Sequence, residues 1–166
     1  LSKCKSSTRA QDLRRFFQTG PGQYGEGDLF LGITVPQVRA VAKKYKDLSL
    51  SEIEKLVNSK FHEERFCGLA ILTSQFDASV DLDFRRKVYN FYVKKIKDGF
   101  VNNWDLIDVS APVLGEILSR HIGYNAAFIH GLAKSNNLWE RRAAIMLTFP
   151  LIKIDKYGPT FAVVKD

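Results

Sequence analysis

The feature that most restricts this chain is the spacing of its apolar residues, which recur at three- and four-residue intervals and never settle into alternation. That period places apolar side chains along one face of an α-helix, whereas a half-buried strand needs every second residue. Leu13, Phe16 and Phe17 open the pattern, and Val35, Val38, Val41, Ala42 and Tyr45 resume it after a glycine-rich break. Local punctuation agrees. Thr34 before Val35-Pro36 reads as an N-cap with proline in the first turn, where its missing N–H costs nothing. Ser49 followed by Glu52 is a capping-box pattern that opens a short helix faced by Ile53, Leu56 and Val57. Further helices are predicted over roughly 61–75, 80–97, 103–119, 124–134 and 137–149.

Helices joined by short turns, without a heptad seam, predict an all-α fold of stacked antiparallel pairs, an α-solenoid with a rhythm of about 40 residues per pair. A compact bundle is the alternative. Pro159 can start one more helix through Phe161, Ala162, Val163 and Val164, after which the sequence stops. The array is therefore expected to be one repeat domain over 1–166, cut short before its last pair. With 45% hydrophobic residues, disorder is excluded, and a chain of 166 residues suffices for a real core. No apolar run approaches the roughly 20 residues of a membrane span. Cys4 and Cys67 are the two cysteines and form no CxxC pair, so the sequence predicts a reducing, intracellular setting without disulfide or zinc.

The net charge of +7 is uneven: residues 1–83 carry 12 basic and 11 acidic side chains, residues 84–166 carry 13 and 7. Arg85, Arg86 and Lys87, then Lys94, Lys95 and Lys97, then Arg141 and Arg142 form local groups. Such groups mark either a phosphate-facing surface or a solvated helix face.

Five glycines fall between Gly20 and Gly32, and Gly20-Pro21-Gly22-Gln23-Tyr24-Gly25 matches the spacing of a dinucleotide fingerprint. The match fails on context, because a helix precedes it, Pro21 interrupts it, and Glu26 and Asp28 would repel phosphate. A shaped loop is predicted instead, in which Tyr24 and Phe30 are anchors and Tyr24 either packs or touches a ligand. His62, His121 and His130 lack metalloprotease spacing, and no metal or other cofactor is expected. Cys67 and Ser110 lack a neighbouring base.

The richest stretch is Asn102-Asn103-Trp104-Asp105-Leu106-Ile107-Asp108-Val109-Ser110-Ala111-Pro112. On a helix Trp104 and Asp108 share a face, joining an indole and a carboxylate on one surface. Pro112 deprives the Asp108 carbonyl of its helical donor, so either the helix kinks at Asp108 or a new helix starts with Ser110 as its cap. Asp108 is accordingly either a catalytic group at an irregularity or a cap or ion-pair partner. In Ser135-Asn136-Asn137-Leu138-Trp139-Glu140-Arg141-Arg142, one asparagine caps a helix expected to carry Leu138, Ala144, Ile145 and Leu147 inward. Arg142 suits either a phosphate or a neighbouring carboxylate.

The blocks TGPGQYGEGDLFLGITVPQVR (19–39), NWDLIDVSAPVLG (103–115) and SNNLWERRAAI (135–145) resemble the AlkD-type DNA alkylation repair family. The resemblance implies a superhelix of HEAT-like helix pairs with a basic concave face for duplex DNA. It also implies cofactor-free glycosylase activity on N3- or N7-alkylated purines. Trp104 and Asp108 match the family's catalytic aromatic and carboxylate, and Arg142 its DNA-contacting arginine. Arg141, Lys94, Lys95 and Tyr24 complete the expected DNA-binding set of a monomer that needs no membrane. A non-catalytic HEAT-like module binding DNA or a protein partner is the competing expectation.

Overall fold

The computed structural model describes residues 1–120 and 126–165, which fall into two compact units, Leu1–Gln75 and Phe76–Asp166. Regular structure among the described residues is helical throughout, apart from a lone bridge between Leu29 and Phe61. The protein is all-α, as the apolar period predicts.

In the first unit a 3-10 turn (Ser2–Cys4) leads into α1 (Ser7–Phe16), α2 (Val35–Lys44), α3 (Leu50–Val57) and α4 (His62–Ala78), within which the boundary between units falls. Thr34 and Ser49 each accept from the backbone N–H three residues on, while Gln37 and Glu52 reach back to the caps. Both starts therefore satisfy first-turn donors that have no acceptor within the helix. The glycine-rich loop between α1 and α2 is pinned from α4. The buried carboxylate of Glu63 accepts three backbone N–H groups, from Leu31 at 2.9 Å and from Gly32 and Ile33 at 2.8 and 3.1 Å. Asp28, also buried, accepts from Arg65 at 2.6 Å and pairs with His62 Nδ1 at 3.1 Å. Phe30 stacks on both Phe17 and His62, with centroids 5.0 and 4.7 Å away, and those two rings lie 4.8 Å from each other, so the three form a mutually packed cluster. The loop is thus a packed structural element, and Asp28 serves it as the counter-ion of Arg65. Gly32 has φ +77°, and a Cβ there would lie 2.0 Å from the Ser6 carbonyl oxygen, so both backbone geometry and space demand glycine.

The second unit contains α5 (Leu82–Lys97), α6 (Trp104–Leu114), α7 (Glu116–Arg120), α8 (Ala126–Ala133), α9 (Leu138–Ile152) and α10 (Gly158–Lys165). Helix α9 is its centre, packing on α5, α6, α7, α8 and α10. Glu140, Ala143, Ala144, Leu147, Thr148 and Leu151 are buried at alternating intervals of three and one, which defines one stripe, and Pro150 is buried beside them. Leu138 is out of register with that stripe and half exposed, and Ile145 is intermediate, which corrects the expectation that both point inward. Asn137 provides the cap, accepting from Trp139 N–H at 2.8 Å.

The segment 103–119, expected as one helix or as two divided near Ser110, divides at Gly115. Helix α6 passes through Pro112 unbroken. Ser110 is interior and fully buried, not a cap: its hydroxyl donates to the Leu106 carbonyl at 2.5 Å and is hydrogen-bonded to Tyr92 Oη at 2.8 Å. A serine that bonds back to residue i−4 is content inside a helix, and the buried Tyr92 hydroxyl holds it there. Gly115 marks the junction because a Cβ on it would lie 2.2 Å from the Leu147 carbonyl oxygen of α9.

Candidate functional site

Helix α6 starts on Asn103, whose side chain accepts from Trp104 N–H at 2.9 Å. Trp104 is thereby fixed in the first turn, and Asp108 follows one turn later on the same face. Both are partly exposed. From α9, Arg142 clamps Asp108 in a two-pronged bond, Nε to Oδ1 at 2.8 Å and the terminal nitrogen to Oδ2 at 2.6 Å. Paired forks of this kind are short and directional because guanidinium and carboxylate share a plane. The Asp108 hydrogen bond pushes the Arg142 pKa up beyond its ordinary value, against the opposing effect of burial. Yet the pair is not sealed: the Asp108 side chain is 31% exposed and that of Arg142 40%. A carboxylate so placed is oriented by its partner while one flank stays open to solvent.

The three consecutive charges of α9 have three different anchors. Glu140 turns inward and accepts from Lys97 Nζ at 2.7 Å, tying the end of α5 to α9. Arg141 donates to the Ser135 carbonyl at 2.7 Å, at the approach to its own helix. Arg142 alone reaches α6. The order Glu-Arg-Arg therefore spaces one contact to each neighbouring segment, about 100° apart around the helix.

The remaining expected DNA-binding residues divide. Lys94 is exposed and pairs with Asp98 one turn on at 2.6 Å. Lys95 is 2% exposed, its ammonium 5.5 and 5.4 Å from the ring centroids of Phe91 and Phe100 and 3.6 Å from Asp98. This corrects its placement at the surface: the stem fills core volume and aromatic faces hold the charge, so no phosphate reaches it in this conformation. Arg85 is likewise buried, its guanidinium over Phe76 at 4.3 Å and its Nε donating to the Phe76 carbonyl. Tyr24 sits in the first unit, half-buried, its hydroxyl donating to the Phe16 carbonyl at 3.2 Å.

No group of three or more metal-binding side chains occurs among the described residues, and His121 lies outside them. Cys67 is buried, and desolvation lifts its pKa to about 11, so the thiolate that nucleophilic attack requires is disfavoured. The support beneath the site is what sequence reasoning misses. Tyr92 on α5 is fully buried, with its pKa raised by desolvation and, to a lesser degree, by the charges of Tyr89 and Asp108. Lys97 and Glu140 are joined across a separation of 43 residues. No local spacing signals either contact, although Tyr92 falls in a regular helical stripe with Val88, Tyr89 and Ile96.

A family model described as "DNA alkylation repair enzyme" matches residues 1–166 of the chain. No curated protein and no solved structure compared with the chain matches it.

Proposed function

Because the chain belongs to the DNA alkylation repair enzyme family over its whole length, we propose that it is a DNA glycosylase releasing cationic N3- and N7-alkylpurines from duplex DNA. Its role is in DNA alkylation repair, and the particular chemistry is argued from one observation: Asp108 is held by Arg142 in a fork while one flank stays exposed.

The pairing fits the reaction. Alkylation at N3 or N7 gives the purine a positive charge, so the base leaves as a neutral molecule and needs no proton from the enzyme. Departure leaves oxocarbenium character at C1′ of the deoxyribose. An ionised carboxylate stabilises that developing charge and orients a water for attack on the carbon. The face of Trp104, one turn away, attracts the cationic nucleotide by about 0.5–2 kcal/mol depending on desolvation. A neutral purine gains little from either group, so charge discriminates the lesion. Before substrate arrives, Arg142 occupies the place of the cation. A cationic nucleotide exchanges with it at Asp108, and the released guanidinium then meets a backbone phosphate, for which its fork is suited.

The HEAT-like superhelix that the resemblance implies is the proposed scaffold, in keeping with the helical regular structure of the described residues. Lys94 and Arg141 complete the proposed DNA contacts, with Tyr24 in the first unit. The chain is proposed to act as a monomer.

The test is incubation with DNA treated with N-methyl-N-nitrosourea, followed by chromatography of the released bases. We expect 7-methylguanine and 3-methyladenine from the wild-type protein. Asp108→Asn is expected to lower the rate by at least about 100-fold, the scale of losing one electrostatic stabiliser of a transition state. DNA binding without base release would instead favour a non-catalytic DNA-binding module, and release unchanged in Asp108→Asn would overturn the catalytic assignment of Asp108.

A further inference from the structure

The charge count by halves hides a local excess in the first unit. Residues 1–16 carry Lys3, Lys5, Arg9, Arg14 and Arg15 against Asp12 alone. One side of α1 borders a cleft of about 410 Å³ whose walls include Lys5, Ser7, Gln11 and Arg14 and whose floor includes Leu31 and Phe61. Lys5 and Lys60 both direct their ammonium groups at the Phe61 ring, at 5.8 and 5.3 Å from its centroid. Lys5, Arg14 and Lys60 are exposed, and none has an acidic partner among the described residues. The carboxylates that follow Phe61 in sequence are already committed, Glu63 to the backbone of Leu31, Gly32 and Ile33 and Glu64 to the Ser59 hydroxyl.

We propose that this cleft between α1 and Phe61 binds the phosphate backbone of DNA, as a phosphate-contact site in the first unit that is separate from the Asp108–Arg142 pair. An anion in the cleft meets Lys5 and Arg14 of its lining, and Lys60, drawn to the same Phe61 ring, adds a third positive charge nearby. Attraction to the ring restricts two otherwise floppy side chains and so reduces the entropy lost on binding. Arg14 adds a planar fork, and the Ser7 hydroxyl and Gln11 amide add neutral donors that suit phosphate oxygens. A chain that works on DNA presents a run of phosphodiesters, which several cations engage together as counterions are released. This proposal goes beyond base release and does not depend on it, because the probe that tests it contains no lesion.

The experiment measures fluorescence anisotropy of a labelled, unmodified 16-base-pair duplex against salt, for the wild-type chain and for Lys5→Gln/Arg14→Gln/Lys60→Gln. Three lost phosphate contacts make the plot of log K against log salt shallower by about 2.7 and lower the affinity about tenfold or more at 50 mM salt. Each single Gln variant, the control against misfolding of the triple one, is expected to reduce the slope by about 0.9. Lys5→Arg/Lys60→Arg keeps the wild-type slope, since the charges remain. Phe61→Leu weakens binding several-fold with the slope unchanged, because it removes the ordering of the lysines and not their charge. Affinity and slope indifferent to all the Gln variants would overturn the proposal. So would intact duplex binding accompanied by lost binding to phosphatidylserine vesicles, which would identify a lipid headgroup as the ligand.

Discussion

A carboxylate that already has a cation is a different reagent from a free one, and Asp108 is such a case. Its fork with Arg142 is partly open to solvent, so its contribution to folding is modest, about 1 kcal/mol or less after solvent screening. Its consequence lies in where the arginine is allowed to be. While Asp108 holds Arg142, the guanidinium is neutralised toward DNA. Removing the carboxylate's charge should therefore free it. We expect Asp108→Asn to bind unmodified duplex more tightly than the wild-type chain, by a few-fold at low salt, with a log K–log salt slope steeper by about 0.9. Asp108→Asn/Arg142→Gln should lose that gain. Titrations of the same labelled duplex with the three proteins check this, and an unchanged slope in Asp108→Asn would show that Arg142 does not exchange partners. Sequence reasoning reached Trp104, Asp108 and Arg142 but left the arginine's partner open between phosphate and carboxylate. A pairing 34 residues apart depends on how α6 lies against α9, which no local pattern encodes.

At the scale of elements, helix type and starts were legible because their causes are local. The capping boxes at Thr34 and Ser49, the Asn137 cap and the apolar stripes all arise from residues within a few positions of one another. What escaped was decided by neighbours. Ser110 looks like a cap beside Pro112 but is buried against Tyr92, and Lys95 looks like a surface charge but lies against Phe91 and Phe100. Gly115 illustrates the same point in the backbone. Its φ is −64°, ordinary for any residue, so conformational freedom is not why glycine stands there. The reason is close approach, since α6 and α7 meet over the carbonyl of Leu147 with no room for a methyl group. Gly115→Ala gains up to about 1 kcal/mol of helix propensity but must push α6 from α9, a typical overpacking cost of about 1–3 kcal/mol. We expect a net loss of about 1–2 kcal/mol in the urea midpoint analysis. Base release should fall as well, because the same displacement separates Asp108 from Arg142. A variant as stable as wild type would mean that the close approach is relieved at no cost.

For the molecule as a whole, each compact unit carries a buried acid, Cys67 in the first and Tyr92 in the second, that burial keeps neutral when folded. Cys67 in the first unit titrates at about 11 instead of its usual 9.0, and Tyr92 in the second is raised above its usual 10.0, both chiefly by desolvation. The sign follows from proton counts. Above the unfolded-state value the unfolded chain has released the proton and the folded chain has kept it, so the folded state binds more protons and stability falls with rising pH. Each such group contributes a decline of about 1.4 kcal/mol per pH unit once its unfolded-state value is passed. The loss begins near pH 9 for Cys67 and near pH 10 for Tyr92, and for Cys67 it levels off above about 11. Urea denaturation between pH 7 and 11, followed by far-ultraviolet circular dichroism, should show this decline in the wild-type chain. Cys67→Ala should flatten the stretch from 9 to 10, where tyrosine is still protonated in both states, and Tyr92→Phe only the stretch above 10. Both variants start from lower stability at pH 7, the first from a small cavity and the second from the lost hydrogen bond to Ser110, so slopes and not absolute values carry the comparison. If the two units unfold together, both substitutions flatten one shared transition. If they unfold separately, each acts on its own transition, and a wild-type stability constant up to pH 11 would refute the buried neutral state of both groups.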